Sequence, residues 1–200
     1  MDHKQSHSIF ISKAYLPRHG LQEILRALVI VKDFYPDVQL KIAGIDVTGG
    51  SRWVQRISTY GAYIRALIKE LMLDNHVNFL GSLSEDKMVA ELRSSHVFIS
   101  SSAIDNSPNS LGEAQMIGVP CIASFVGGVP DMIKDGESGL LYVFDDHVML
   151  AFKIISIFND NSLALKLSMN GREAAMTRHN REKIRSRILH IYSTIVNEGR

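Results

Sequence analysis

Two periods alternate along this chain. "SIFIS" (8–12) is a short β-rich apolar run, and from Leu21 apolar residues recur at 21, 24, 25, 28 and 31 until Pro36 ends the pattern. "VQLKIAG" (38–44) reads as a strand, and "IDVTGGSRWVQ" (45–55) as a loop around its glycine pair. Ile57, Tyr60, Ile64, Leu67, Ile68 and Leu71 mark the next helix. "HVNFLG" (76–81) is a strand, "SEDKMVAELRSS" (84–95) a capped helix, and "HVFISS" (96–101) another strand. A short helix after Pro108, the strand "VPCIAS" (119–124), a turn-rich "VGGVPDMIKDGESG" and the strand "LLYV" (140–143) follow. Asp145 and Asp146 cap a helix with apolar positions at 148, 151, 154, 155 and 158. The tail from Ser162 to Asn197 reads as two helices broken near "TRHN".

Strands alternating with helices imply right-handed crossovers and a mostly parallel sheet covered on both faces. The expected fold is therefore α/β: one doubly wound domain over residues 1–200, with residues 1–7 flexible and 162–197 forming C-terminal helices. Ligands of such sheets bind beyond the carboxyl ends of the strands. That directs attention to the turns after Ser12, Gly44, Gly81, Ser101 and Ser124.

Composition narrows the function classes. At 200 residues, 46% hydrophobic and 22% charged, the chain is ordinary for a globular protein, and a net charge of +1 argues against a dedicated nucleic-acid binder. The single cysteine, Cys121, lies in an apolar run, which excludes an internal disulfide framework and reads as an inert core thiol in a reducing compartment. A cytoplasmic location is expected from that cysteine usage. His3 and His7 have the spacing of helical metal ligands but sit in the polar start, and no other histidine cluster suggests a metal.

The chemistry concentrates in "DNSPNSLGE" (105–113), which follows a strand and opens a helix. Ser107-Pro108 fits an N-cap followed by Pro at the first helical position, and Ser110 with Glu113 fits a capping box. Either start leaves amides near Asn109, Ser110 and Leu111 facing outward at the positive end of a helix dipole, an anion site suited to phosphate. Asp105 and Glu113 would then accept hydrogen bonds from hydroxyls. A nucleoside diphosphate sugar carries that combination of groups. On the residues alone, a well-made helix start with a turn-forming Asp105 explains the segment equally well.

The order "HVNFLG … SSHVFISSS … DNSPNSLGEAQMIGVPCIAS … GGVPDMIKDGESGLL" resembles the C-terminal domain of group 1 (family 4) retaining glycosyltransferases of the GT-B fold, a Rossmann-like half-molecule. The similarity runs from Ile9 to about Tyr192. It implies two acids separated by seven residues, here Asp105 and Glu113. Glu113 would bind ribose hydroxyls and Asp105 the donor sugar, and the backbone of Asn109, Ser110 and Leu111 would hold the diphosphate. Leu80, Gly81 and Ser82 would border the base, with Lys87 beside them, although a solvated Lys87 fits as well.

Three positions depart from the pattern. Asp105 stands where Glu is usual and is one carbon shorter. Gly112 replaces a larger apolar residue. In "ISKAYLPRHG", Ala14 and His19 occupy the places of an Arg and a Lys that grip the diphosphate. Lys13 and Arg18, each one residue away, could supply the charge or merely be solvated, and a neutral His19 could donate a hydrogen bond. The glycines of "SFVGGVP" (124–130) would line the far side of the cleft or make a packed turn, and His96 reads as structural.

The resemblance implies an enzyme that moves a sugar from a nucleoside diphosphate sugar to a glycan or lipid-linked acceptor in surface polysaccharide synthesis. Its acceptor domain has no counterpart in these residues, so the chain alone is expected to be inactive. No Asp-x-Asp motif is present, and no cofactor or metal is expected. The tail from Leu163 to His190 has seven Lys or Arg against two acids, either a solvated face or a contact with anionic membrane. Rival readings are a non-catalytic nucleotide-sugar-binding module and a sugar-nucleotide epimerase. A nicotinamide dehydrogenase is disfavoured, because "KAYLPRHG" lacks closely spaced glycines.

Overall fold

Continuous apolar runs become strands here because both faces of the sheet are covered. The computed structural model describes residues 7–49 and 59–198. Among these, β1 (Ser8–Ile11), β2 (Gln39–Ala43), β3 (Val77–Gly81), β4 (Val97–Ser100), β5 (Cys121–Ser124) and β6 (Leu140–Tyr142) form one sheet. The order is β3-β2-β1-β4-β5-β6, and every pairing is parallel. Side chains alternate between faces as the pleat demands. Ile9, Ile11, Leu40, Ile42, Val97 and Ile99 join one buried cluster, whereas Phe10, Phe98, Cys121 and Ala123 join the other.

The crossover helices cover these two faces. α1 (Leu21–Phe34), α2 (Thr59–Glu70) and α5 (His147–Asn159) seal the first cluster through Leu25, Leu28, Ile64, Leu150 and Ile154. α3 (Glu85–Ser94) and α4 (Asn109–Ile117) seal the second through Leu92, Leu111 and Ala114. α6 (Asn161–Arg178) packs on α4, and α7 (Arg181–Glu198) follows after a break at His179 and Asn180. Along α7, Ile184, Ile188, Ile191 and Ile195 recur on one face and remain exposed.

The expected elements are present, with strand ends shorter by a residue or two. Asp146 caps α5 by accepting from the Met149 amide at 2.7 Å, while Asp145 does not. Ser84 occupies the N-cap of α3 without a side-chain cap bond. His3, residues 50–55 of the loop and Ile57 lie outside the described residues. His7 is engaged with Asp37, its Nδ1 2.7 Å from Oδ1, and the His96 ring lies 4.8 Å from that of Phe158. Cys121 is buried, its thiol pushed up by desolvation.

The strand order reverses between β1 and β4, so the loops beyond them leave toward opposite faces and open a crevice. Gly20 sits at this point with φ +74, and a Cβ there would lie 2.0 Å from the Ser101 carbonyl oxygen. Gly136 has nearly the same backbone, φ +72, with nothing within 4 Å of a Cβ. The pair separates backbone strain from steric conflict. In urea unfolding, Gly136→Ala is expected to lose about 1 kcal/mol, the left-handed penalty alone. Gly20→Ala is expected to lose roughly 3 kcal/mol or more, in the range where a named packing conflict is required.

Candidate functional site

The loop after β1 is shaped by its own local chemistry. Pro17 opens a single 3-10 turn, Pro17–His19, closed by the His19 amide donating to Leu16 O and the Gly20 amide to Pro17 O. The Leu16 amide donates to His19 Nδ1 at 3.3 Å, which leaves the imidazole proton on Nε2. The ring is buried, edge-on to Tyr15 at 4.6 Å. Burial first, then the charges of Lys13 and Arg18, hold His19 below its ordinary value of 6.5, with Asp105 pulling the other way. His19 is therefore a neutral hydrogen-bond donor.

Serine hydroxyls and glycines bind three loops into one rim. Ser101 Oγ donates to His19 O at 2.6 Å, and the Ala103 amide donates to Arg18 O at 2.7 Å. Ser124 Oγ donates to Ser102 O at 2.6 Å. Gly127 and Gly128 lie against the carbonyls of Asp105 and Asn106, where a Cβ would come within 2.2 Å of either oxygen. The glycines of "SFVGGVP" therefore admit the protein's own backbone, which settles the packed-turn alternative. Phe125 and Pro130 of that segment line a different groove, of about 890 Å³, between the loop around Met132 and α6. That groove holds none of Asp105, Glu113, Lys13 or His19.

The start of α4 corrects the expected capping. Pro108 itself is the N-cap residue, extended at φ −64 and ψ 114, and no side chain caps the helix. Its carbonyl accepts from the Leu111 and Gly112 amides at 3.1 and 3.3 Å. Ser107 is thus one residue too early to cap, and Ser110 and Glu113 form no capping box. The Leu111 amide is engaged, and its side chain is fully buried, so Leu111 does not face a ligand. The amides of Asn109 and Ser110 keep their donors at the positive end of the helix.

The two acids flank this opening differently. Glu113 is exposed and makes no hydrogen bond or ion pair with the described residues. Asp105 is mostly buried, its Oδ2 3.6 Å from Lys13 Nζ. Lys13, His19, Ser12, Ser101, Ser102 and Ser110 line one small cleft between β1 and β4. Ala14 points into the core at 1% exposure, and Arg18 is exposed outside the cleft.

Leu80, Gly81 and Ser82 stand at the end of β3, an edge strand two places from β1, and Lys87 is exposed on α3. The acids follow β4, three strand spacings or about 14 Å from β3, so these residues lie apart from the acids rather than beside them. Gly112 has a structural account: a Cβ would lie 2.9 Å from His179 Nε2, where the end of α6 packs. Arg178 fixes that end by donating to Met132 O at 3.2 Å and Gln115 Oε1 at 2.7 Å. Nothing in the sequence reading anticipated the Arg178 anchor; the low helix propensity of Gly112 was its one trace. Among the described residues, no group of three potential ligands is placed to hold a metal ion.

With the fold and this rim described, comparison identifies the lineage. The family model for glycosyl transferases group 1 matches residues 3–174, and the chain belongs to that family. N-acetyl-alpha-D-glucosaminyl L-malate synthase of Bacillus anthracis is 30% identical over 68% of this chain and 35% of its own. Phosphatidyl-myo-inositol mannosyltransferase of Mycobacterium leprae is 27% identical over 96% of this chain and 47% of its own. The chain thus spans half or less of the curated relatives it matches. Anabaena HepE, solved with UDP-glucose, superposes with a TM-score of 0.81 at 21% identity, covering 94% of this chain and 49% of HepE. The C-terminal domain of a group 1 glycosyl transferase (LpcC) from Francisella tularensis does so with a TM-score of 0.74 at 21% identity, covering 88% of each chain. The fold is that of the C-terminal half of GT-B enzymes.

The depressed His19 sets a direction for pH dependence. Below 6.5 the unfolded chain binds a proton that the folded chain resists, so stability falls as pH falls through that value. Thermal melting from about pH 7.5 to about pH 5 is expected to show a smaller loss for His19→Gln than for the natural chain. Equal slopes would mean that this ring does not contribute.

Proposed function

We propose that this chain is the donor-binding half of a retaining glycosyltransferase that takes a sugar from a nucleoside diphosphate sugar. One observation carries the reading: the free amides of Asn109 and Ser110 open between two carboxylates, one of which, Glu113, has no internal partner. A diphosphate suits the amides and the helix dipole. Carboxylates can only accept, so the hydroxyls of a ribose and a hexose suit Glu113 and Asp105. Leu80, Gly81 and Ser82, at the end of β3, and Lys87 on α3 are the residues that would border the base in this reading. HepE, of the same fold, was solved with UDP-glucose, which supports a nucleotide sugar as the ligand class.

In this reading the amides, Lys13 and the Nε2–H of His19 stabilise the charge that builds on the departing nucleoside diphosphate. Preorganised donors of this kind contribute about 100- to 1,000-fold each to rate. The acceptor hydroxyl attacks the anomeric carbon with retention of configuration. The donor is a substrate, and the mechanism calls on no further cofactor.

The acceptor, a glycan or lipid-linked molecule of surface polysaccharide synthesis, would be held by a second domain. The apolar face of α7 supports such a partner. Its first two turns carry Arg181, Lys183, Arg185 and Arg187, which favours an anionic membrane surface as a second contact in the cytoplasm. No described helix is by itself long and apolar enough to cross a membrane. Ala14, buried where a phosphate-gripping Arg is usual, favours a second reading, a module that binds the donor without catalysis.

A thermal-shift panel of UDP, GDP, ADP and their sugars is expected to give stabilisation by one nucleotide series, and no shift from any would end the proposal. Glu113→Gln is expected to weaken the nucleoside diphosphate about tenfold, the loss of a charged hydrogen bond, while leaving inorganic pyrophosphate unchanged. The 200-residue chain should transfer no sugar by itself. Sedimentation with phosphatidylglycerol vesicles should show salt-sensitive binding that is lost when Arg181, Lys183, Arg185 and Arg187 are replaced by Gln.

A further inference from the structure

Lys13 is the cation that this cleft contains. His19 is neutral, and Arg18 lies outside the lining. Yet Lys13 is committed to the protein itself: its Nζ lies 3.6 Å from Asp105 Oδ2, reaching from the loop after β1 to the loop before α4. Ser110, whose amide belongs to the free pair at the start of α4, lines the same cleft.

These facts set two demands on one ammonium group. A diphosphate at the Asn109 and Ser110 amides would sit beside Asp105, and like charges a few ångströms apart repel at the effective dielectric of a protein surface. Lys13 relieves that repulsion only by approaching the phosphate. At 3.6 Å the contact with Asp105 is longer than a good hydrogen bond, and 39% of the Lys13 side chain is exposed. A flexible four-carbon stem lets such an ammonium change partners without moving the backbone. The rim does not share this freedom, since Ser101, Ser124, Gly20 and Gly127 hold it on both sides.

We propose that Lys13 is an exchangeable counter-ion: it holds the Asp105 carboxylate until a diphosphate enters at the Asn109 and Ser110 amides, then passes to the phosphate and leaves Asp105 to the sugar hydroxyls. The inference rests on the nucleotide-sugar reading and deepens it, because it makes recognition of the sugar conditional on the diphosphate. A free monosaccharide would meet an Asp105 still paired with Lys13. Lys13 acts here as a positioning residue for Asp105 as well as a phosphate ligand.

The test is a double-mutant cycle read by calorimetric titration of inorganic pyrophosphate into the 200-residue chain. Lys13→Met is expected to weaken binding about tenfold, the coupling of a close charge pair. Asp105→Asn, which frees Lys13, is expected to tighten it about threefold to tenfold. In the double variant that gain should be smaller, keeping only the relief of repulsion by Asp105, so the two substitutions are not additive. Lys13→Arg should bind like the natural chain, and melting curves check that each variant is folded. A gain from Asp105→Asn as large without Lys13 as with it would show a simple repelling charge, and no gain at all would show no competition; either overturns the exchange while leaving the nucleotide reading intact. Failure of the natural chain to bind pyrophosphate or any nucleoside diphosphate would overturn both.

Discussion

The seat of Gly20 on the Ser101 carbonyl is the contact on which the crevice depends. Where the strand order reverses, two loops diverge, and nothing in a parallel sheet fixes the distance between them. Here the left-handed Gly20 lets the chain enter α1 while touching the opposite loop, and the Ser101 hydroxyl bonds back to His19 O. Ser124 and the Gly127–Gly128 pair brace the other side of the same segment. The backbone at Asp105 and Asn106 is thereby held from both sides, the kind of support that a functional group on a loop requires. The hydroxyls that do this work are nearly fully buried, so each also removes a carbonyl that would otherwise be unsatisfied.

An anion site between two carboxylates is electrostatically inconsistent unless something resolves it. The helix start contributes about half an elementary charge, too little to offset two acids and a diphosphate. The structure separates the acids by environment. Glu113 is exposed, where solvent screens it, while Asp105 is mostly buried and needs a counter-ion, which Lys13 supplies. Burial first, and then the positive charges of Lys13 and Arg18, keep His19 neutral.

Much of this was legible in the sequence. The runs at 8–12, 38–44 and 96–101 became adjacent parallel strands; 8–12 and 96–101 are apolar on both faces, while 38–44 alternates, with Lys41 paired to Glu91. The helical periods after Leu21 and Asp146 were equally plain, since each stripe seals one cluster. What failed was local and depended on atoms distant in sequence. Ser107 looked like a cap, but the chain turns at Pro108, whose carbonyl takes the Leu111 and Gly112 amides. The glycines after Ser124 fitted a ligand-facing turn or a packed one, and only the fold shows them accommodating carbonyls some twenty residues earlier. Lys13 and Asp105 lie on different strand ends, and only the order reversal brings them together.

The two departures from the family pattern at Ala14 and Asp105 are then best understood together. An Arg at position 14 would have to leave the core position that Ala14 fills at 1% exposure, and this loop has instead closed over it. The remaining cation sits one residue earlier, at the mouth of β1, and reaches Asp105 across the crevice. A glutamate at 105 would be about 1.5 Å longer, the length of a carbon–carbon bond, and would carry its carboxylate into the space of Lys13. The shorter acid leaves room for the Lys13 ammonium beside it, 3.6 Å away. A shifted cation and a shortened acid therefore compensate each other, whereas restoring either one alone would disturb the charge arrangement that the other now requires.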